Sequence, residues 1–157
     1  MLAIFGGALY LEESAAPAYP VAHYLESRFP ARRQAPARQA AILNKCQSSG
    51  PNHYILLGGR FEPHDKPELL LRLGVPQPDE LDLAVWQAVQ ADLLPVDPPR
   101  GVFTIDHGRF HPVDTRTRDC RLAARQLLEL LLNQQEWPPT EPLRERLSQQ
   151  WASRQFG

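Results

Sequence analysis

Two stretches of this sequence lead a short apolar segment into the same seven-residue pattern, Gly-Arg-Phe-x-Pro-x-Asp. The copies occupy residues 59–65 and 108–114. Before each copy stand β-branched, aromatic and aliphatic residues bounded by Gly and Pro, which is typical of a buried strand. Proline cannot donate a hydrogen bond to a sheet ladder, so we expect each strand to end at the Pro of its pattern or to lie at a sheet edge.

The two copies predict different structures around the strand. Asp65, Lys66, Pro67 and Glu68 resemble a helix N-terminus with a capping box, which predicts a helix of two turns over residues 67–73. In the second copy, Asp-His-Gly at 106–108 predicts a β-hairpin in which residues 102–105 return as residues 109–113.

Amphipathic or well-capped segments elsewhere predict further helices, at residues 19–29, 37–46, 78–94, 118–134 and 140–153. The segment 118–134 has the widest apolar stripe, so it is expected to be central to the core or to a dimer contact. The predicted fold is therefore α+β: a single compact domain of four to five helices with short antiparallel strands and a β-hairpin near residues 102–113.

Length and composition place this chain among ordinary globular proteins. A chain of 157 residues is long enough for one core, which predicts a single domain over residues 1–157 with an exposed basic linker at 30–38. Apolar residues make up 43% and charged residues 22% of the chain, well away from disordered sequences. A net charge of −1 argues against a dedicated nucleic-acid binder.

The cysteines and the N-terminal segment bear on the compartment. Cys46 and Cys120 are too few for a disulfide framework, and both are expected to be reduced. The first twenty residues have an apolar start without a basic region or a membrane-length apolar run. These features predict a cytoplasmic protein that does not bind membranes.

One stretch has an asymmetric charge distribution. No acidic residue lies between Glu26 and Glu62. The basic residues proposed there as contacts to nucleic acid or to an acidic partner are Arg28, Arg32, Arg33, Arg38 and Lys45. The competing interpretation is a solvated basic loop whose charge is balanced by acids elsewhere.

The repeated pattern itself suggests an anion site. If the two copies meet in space, paired guanidiniums could hold a phosphate or carboxylate. The ligand-binding candidates are Arg60, Arg109, His64, His111, Asp65 and Asp114. The competing interpretation is structural: Arg points outward, Phe points inward, Pro ends the strand and Asp caps a helix.

Two catalytic constellations have suitable residue types but poor placement. Asp106, His107, His111 and Asp114 lie within nine residues and include metal-ligating types, but two histidines at this spacing bind metal well only on a helix. Cys46 with a histidine base from 107 or 111 and Asp114 to orient it has the composition of a cysteine hydrolase. However, Cys46 is expected at the C-terminal end of the helix at 37–46, where the helix dipole raises the pKa of a thiol. We therefore predict no metal and no cofactor, and we assign no catalytic residue.

Together these features favour an accessory or adaptor protein that binds another macromolecule, with a protein as the expected partner. One alternative is a small hydrolase or a phosphate- or carboxylate-binding protein that uses the two Gly-Arg-Phe units. A second alternative is a nucleic-acid-binding subunit that uses residues 28–45. A homo-oligomer is compatible with all three.

Overall fold

The structure is a computed structural model that describes part of the chain. The described residues are 2–4, 8–12, 23–46, 53–75, 86–87, 90–91, 97–110, 115–132, 142, 145–147 and 149. Within them, side chains are described for residues 24–44, 54–74, 86–87, 90–91, 97–106, 115–132, 142, 145–147 and 149.

In the described part of the chain, seven strands form one mixed sheet. In chain order they are β1 (Leu2–Ile4), β2 (Ala8–Glu12), β3 (His23–Pro30), β4 (Arg38–Cys46), β5 (His53–Pro63), β6 (Glu68–Val75) and β7 (Gly101–Phe110). Their order across the sheet is β1-β2-β4-β5-β7-β6-β3. All neighbours are antiparallel except β6 and β7, which are parallel.

Helix α1 (Thr117–Leu132) packs against the inner face of the sheet at β4 and β5. Near its start, the Asp119 carboxylate accepts a hydrogen bond from the backbone N–H of Arg116 at 2.9 Å, which resembles one half of a capping box. The inner face and the helix share a fully buried apolar core that includes Ile55, Leu57, Phe61, Leu71, Phe103, Ile105, Ala123, Leu127 and Leu131.

One buried polar chain joins the sheet to the helix. Asn44 of β4 donates through Nδ2 to the Oε1 of Gln126 at 2.9 Å. Gln126 in turn donates through Nε2 to the carbonyl oxygen of Leu147 at 2.9 Å. These bonds fix α1 against both β4 and the helical turn around Leu147, because an unmade bond at a buried amide would cost the full desolvation of that group.

The predicted fold class was wrong. The described chain is dominated by a mixed sheet, and the helices predicted at 19–29, 37–46 and 67–73 are replaced by β3, β4 and β6. These segments are rich in Leu, Ala, Arg and Gln, which favour helices locally. Their buried residues nevertheless alternate, as Leu69, Leu71 and Leu73 do in β6, because one face of each strand lies on the core.

The predicted β-hairpin near residues 102–113 was also wrong. β7 runs without a turn through residues 106–108, and its whole length pairs with β5. Ile105 lies opposite Gly59 and His107 lies opposite Gly58, so Asp106 is the extra residue of a β-bulge rather than part of a turn. Residues 111–113 lie outside the described residues.

The remaining helix predictions fared differently. The helix predicted at 118–134 is confirmed as α1. The segments 78–94 and 140–153 are described only in part. Their described residues are all helical, namely 86–87, 90–91, 142, 145–147 and 149. In the part of the chain that the structure describes, no helix is long and apolar enough to cross a membrane.

Candidate anion-binding cleft

The end of the sheet is crossed by the connection between β3 and β4, residues 31–37, which we call the strap. β3 is an edge strand, and β6, β7 and β5 separate it from β4. Four strand spacings amount to about 19 Å, and the eight steps from Pro30 to Arg38 span at most about 29 Å. The strap is therefore long enough to cross the ends of the three intervening strands, with about 10 Å of reach to spare.

Backbone and side-chain bonds hold the strap in this position. Ala31 donates its N–H to the carbonyl oxygen of Pro67 at 3.2 Å, and Arg100 donates its N–H to the carbonyl oxygen of Arg33 at 2.9 Å. The Arg33 guanidinium donates through Nε to the carbonyl oxygen of Asp97 at 2.7 Å and through Nη2 to that of Leu132. Arg33 is thus a positioning residue that ties the strap to the end of α1.

A cleft of about 290 Å³ opens between the strap and the end of β5. We call it the strap cleft, and it is lined by Gln34, Ala35, Pro63, His64, Asp65 and Arg100. His64 and Asp65 are placed there because Pro63 ends β5, and Arg100 because it directly precedes β7. Among the described residues, its lining contains a guanidinium, an imidazole, an amide and the carboxylate of Asp65, and no Ser, Thr or Cys.

Two donor-bearing atoms of the strap cleft are buried without a hydrogen-bond partner among the described residues. They are Nδ1 of His64 and Nε of Arg100. Buried polar groups in folded proteins nearly always have a partner, so each such exception calls for a physical reason. A water-sized probe reaches neither atom, so an oxygen acceptor could meet them only after the side chains turn toward the cleft.

Basic and acidic side chains are mixed at this sheet end, where Arg33 and Arg38 lie near Asp65 and Asp97. Burial lowers the pKa of Arg33, although the nearby Asp97 carboxylate acts in the opposite direction. Burial lowers the pKa of Arg38 as well, and the positive charge of Arg33 lowers it further. Two like charges are therefore held close together beside the strap cleft, an arrangement that favours an anion in their neighbourhood.

Arg60, the first repeated arginine, lies elsewhere, on the outer face of the sheet. It donates through Nη1 to both carboxylate oxygens of Asp106 at 2.9 and 3.1 Å, and through Nε to Glu62 at 3.2 Å. Tyr24 donates its hydroxyl to the same Asp106 carboxylate at 3.2 Å. Burial acts to lower the pKa of Arg60, but the hydrogen bond and charge of Asp106, with Glu62, raise it overall.

A row of polar residues continues from Arg60 across the outer face. Arg60 pairs with Thr104, Thr104 with Arg72, and Arg72 with Glu26. Arg72 donates to Glu26 at 3.1 Å, and its guanidinium carbon lies 4.0 Å from the centre of the Tyr24 ring. The charges in this row are matched to one another, which gives Arg60 and Arg72 roles in joining strands.

The second copy of the pattern joins the first on an adjacent strand but out of register. Arg109 lies opposite Leu56, four residues from Arg60 along β5, which is about 13 Å of strand. His111 and Asp114 lie outside the described residues. The structure therefore brings His64 and Asp65 together in the strap cleft, and places Arg60 and the backbone of Arg109 elsewhere on the sheet.

The basic stretch is divided among several places. Arg28 lies on the edge strand and forms a salt bridge with Glu68 at 2.6 Å. Arg32 and Arg33 lie in the strap, where Arg32 is exposed, and Arg38 follows it at the start of β4. Lys45 is seven residues along β4 from Arg38, about 23 Å away. These charges do not form one continuous track in the described structure.

The catalytic constellations can be placed in part. The described residues contain no group of three or more His, Cys, Asp or Glu side chains that could hold a metal. Cys46 lies opposite His53 and His107 lies opposite Gly58. Because those two positions of β5 are five residues apart, the backbones of Cys46 and His107 are separated by about 16 Å along the strand direction. Cys120, the other cysteine, is fully buried in α1.

Reasoning from the sequence missed Arg100 and Tyr24. Arg100 had no distinguishing signal, because it stands between a proline-rich segment and a strand, far in sequence from His64. Tyr24 had one: in β3, Tyr24, Glu26 and Arg28 are polar or aromatic at every second position, and this alternation indicates a half-buried strand. A strand interpretation would have placed Tyr24 and Glu26 on one face.

We expect the Arg60–Asp106 pair to be coupled by about 2 kcal/mol, as is usual for hydrogen bonds to charged groups. The test is a double-mutant cycle of Arg60→Ala, Asp106→Ala and the double variant, with urea unfolding as the readout. Additive losses of stability would contradict the expectation. Arg118→Ala, an exposed arginine on α1, serves as the control and is expected to change stability by less than about 0.5 kcal/mol.

Comparison with known proteins provides little beyond this geometry. No protein family and no curated protein sequence matches the chain. Among solved structures, the chain is similar to one subunit of a Pseudomonas malonate decarboxylase hetero-tetramer in complex with malonate. The two are 20% identical, over 68% of this chain and 96% of that one, with a TM-score of 0.40. A likeness this distant carries no argument about function.

Proposed function

We propose that this chain is an accessory binding protein and that the strap cleft holds an acidic side chain of a protein partner. The observation that carries the proposal is that the side chains of His64 and Arg100 line the same cleft. Arg100 offers a permanently charged guanidinium, and the imidazole of His64 donates through whichever ring nitrogen is protonated. A carboxylate would accept from both groups.

The size of the cleft is sufficient for an acidic side chain. The strap cleft measures about 290 Å³, at the lower end of the range of about 300–1,000 Å³ that is usual for small-molecule and cofactor sites. Its described lining offers the donors of Gln34, His64 and Arg100 and contains no hydroxyl or thiol nucleophile, which favours binding over nucleophilic catalysis.

A protein partner suits the surroundings better than a nucleic acid. Glu62, Asp65 and Asp97 lie close to the cleft among the basic residues. A phosphate backbone carries a negative charge at every step and gains affinity from many cationic contacts. A peptide needs only one acid at the cleft and can place neutral or basic residues opposite these carboxylates.

The expected result is that Arg100→Ala weakens binding of a fluorescein-labelled hexapeptide with a single glutamate among neutral residues by about tenfold, because one charge-assisted hydrogen bond is lost. Fluorescence anisotropy at two salt concentrations measures it. Arg121→Ala removes an exposed arginine from α1 and is the matched control, with an expected change below about twofold.

Two results would contradict the proposal. The first is equal affinity of the peptide for the wild type and Arg100→Ala, which would move acidic binding away from the cleft. The second is tighter binding of single-stranded oligothymidine than of the peptide, with a loss at Arg100→Ala. That result would favour the nucleic-acid alternative at the same site.

A further inference from the structure

The edge strand β3 has an open side. It pairs with β6 along its full length, and no other strand among the described residues lies beside it. An eight-residue edge presents a row of backbone donors and acceptors to any strand that can approach. Natural proteins cover or guard such edges, so the surface features of β3 indicate what it accepts.

The direction of the open backbone groups can be deduced from one hydrogen bond. The N–H of Ala31 donates to the carbonyl oxygen of Pro67, on the β6 side of the chain. N–H directions alternate along a strand, so the N–H groups of Glu26 and Arg28 point away from β6. We call the residues whose backbone nitrogens point away from β6 the outward set, and Pro30 belongs to it. Proline lacks an N–H and is tolerated at such a position of an edge strand.

The outward set is complementary to itself when the β3 strands of two copies pair antiparallel with their Ser27 residues opposite each other. Glu26 then lies opposite the partner's Arg28, and by symmetry Arg28 lies opposite the partner's Glu26. Both are backbone-bonding positions, so each pair exchanges two N–H···O bonds. On the inner side of the same register, Leu25 lies opposite the partner's Phe29.

The side chains at these positions are available for such pairing. Glu26 and Arg28 are 46% and 61% exposed, and both lie on the outer face. Each already contacts an opposite charge within its own chain, Arg72 and Glu68 respectively. Antiparallel pairing would extend these into a row of alternating charges, from Arg72 through Glu26 to the partner's Arg28 and the partner's Glu68.

We propose that two copies of this chain dimerise by antiparallel pairing of β3 with β3, centred on Ser27, so that one sheet continues across the two-fold axis. The occupant of the edge is a second copy because the charge pattern matches its own reverse. An unrelated extended segment would need acid and base at the same spacing. This inference is independent of the strap cleft.

The test uses reciprocal charge reversal in the full chain. Sedimentation equilibrium of the wild type is expected to give twice the 17.8 kDa chain mass. Glu26→Arg places arginine opposite arginine, and Arg28→Glu places glutamate opposite glutamate. Each variant alone is expected to dissociate at least tenfold more readily. An equimolar mixture is expected to recover the dimer, because every cross-chain pair is then Arg opposite Glu.

The controls separate loss of this interface from unfolding and from a general effect of altered net charge. Glu145→Arg reverses an exposed charge away from β3 and is expected to leave the mass unchanged. Circular dichroism of each variant shows that it is folded, and recovery on mixing already requires folded chains. A monomeric wild type would overturn the proposal and leave the edge to a segment of another protein. A dimer that survives both reversals, or variants that do not recover on mixing, would overturn the β3 register.

Discussion

Replacing Phe61 with alanine is expected to lower the free energy of unfolding by about 4 kcal/mol, within the usual range for a buried aromatic side chain. Phe61 is fully buried on the inner face, opposite Phe103 on the neighbouring strand. Its ring lies so close to Gly101 that a Cβ added there would stand 2.6 Å from two ring atoms. The residues around it therefore have little freedom to close the cavity.

Urea unfolding measures this loss directly, and the melting temperature should fall by roughly 10 °C. Leu56→Ala is the matched control, since Leu56 is half-buried on the outer face of the same strand. We expect the control to cost less than half as much. A loss of stability below about 1 kcal/mol for Phe61→Ala would mean that the surrounding residues do not pack tightly against this ring.

Adding a single methyl group at Gly59 is expected to cost about 3 kcal/mol, the upper end of what overpacking causes. A Cβ at this position would lie 2.6 Å from the backbone carbonyl oxygen of Thr104. That oxygen belongs to β7 and cannot rotate away as a side chain would. Gly59→Ala must therefore push β5 and β7 apart next to the bulge at Asp106.

Two measurements distinguish this displacement from a simple change of strand propensity. Thermal unfolding gives the loss of stability, and amide hydrogen exchange is expected to speed up in β7 near Thr104. Gln39→Ala, an exposed change on the neighbouring strand β4, is the control and should leave both almost unaffected. Unchanged stability and exchange in Gly59→Ala would show that the two strands have room to move.

The residues in these two predictions also give part of the repeated pattern a structural role. In the first copy, glycine allows close approach of the neighbouring strand, arginine faces outward to Asp106, phenylalanine fills the core and proline ends the strand. Asp65 does not cap a helix, because β6 comes next in the chain. Of the polar residues in the first copy, His64 and Asp65 line the strap cleft.

Secondary structure was predictable where local pattern and tertiary environment agreed. The wide leucine stripe of α1 has no other way to be buried, and the helix formed as expected. Segments such as β4 and β6 contain good helix formers, and a period of two over so few residues is a weak signal. Their hydrogen bonds are made with strands distant in sequence, so their conformation could not be predicted from the local sequence.

The sequence by itself determined the strand segments around the Gly-Arg-Phe patterns and the long apolar helix, because glycine, proline and apolar spacing restrict the backbone locally. Only the tertiary structure decided that Arg100 would lie in one cleft with His64. That meeting follows from the antiparallel pairing of β5 with β7, in which Pro63 lies opposite Gly101 and the adjoining residues His64 and Arg100 come together. The strand order, with β3 four positions from β4, makes the strap cross the same sheet end. Both are consequences of long-range pairing that no local pattern specifies.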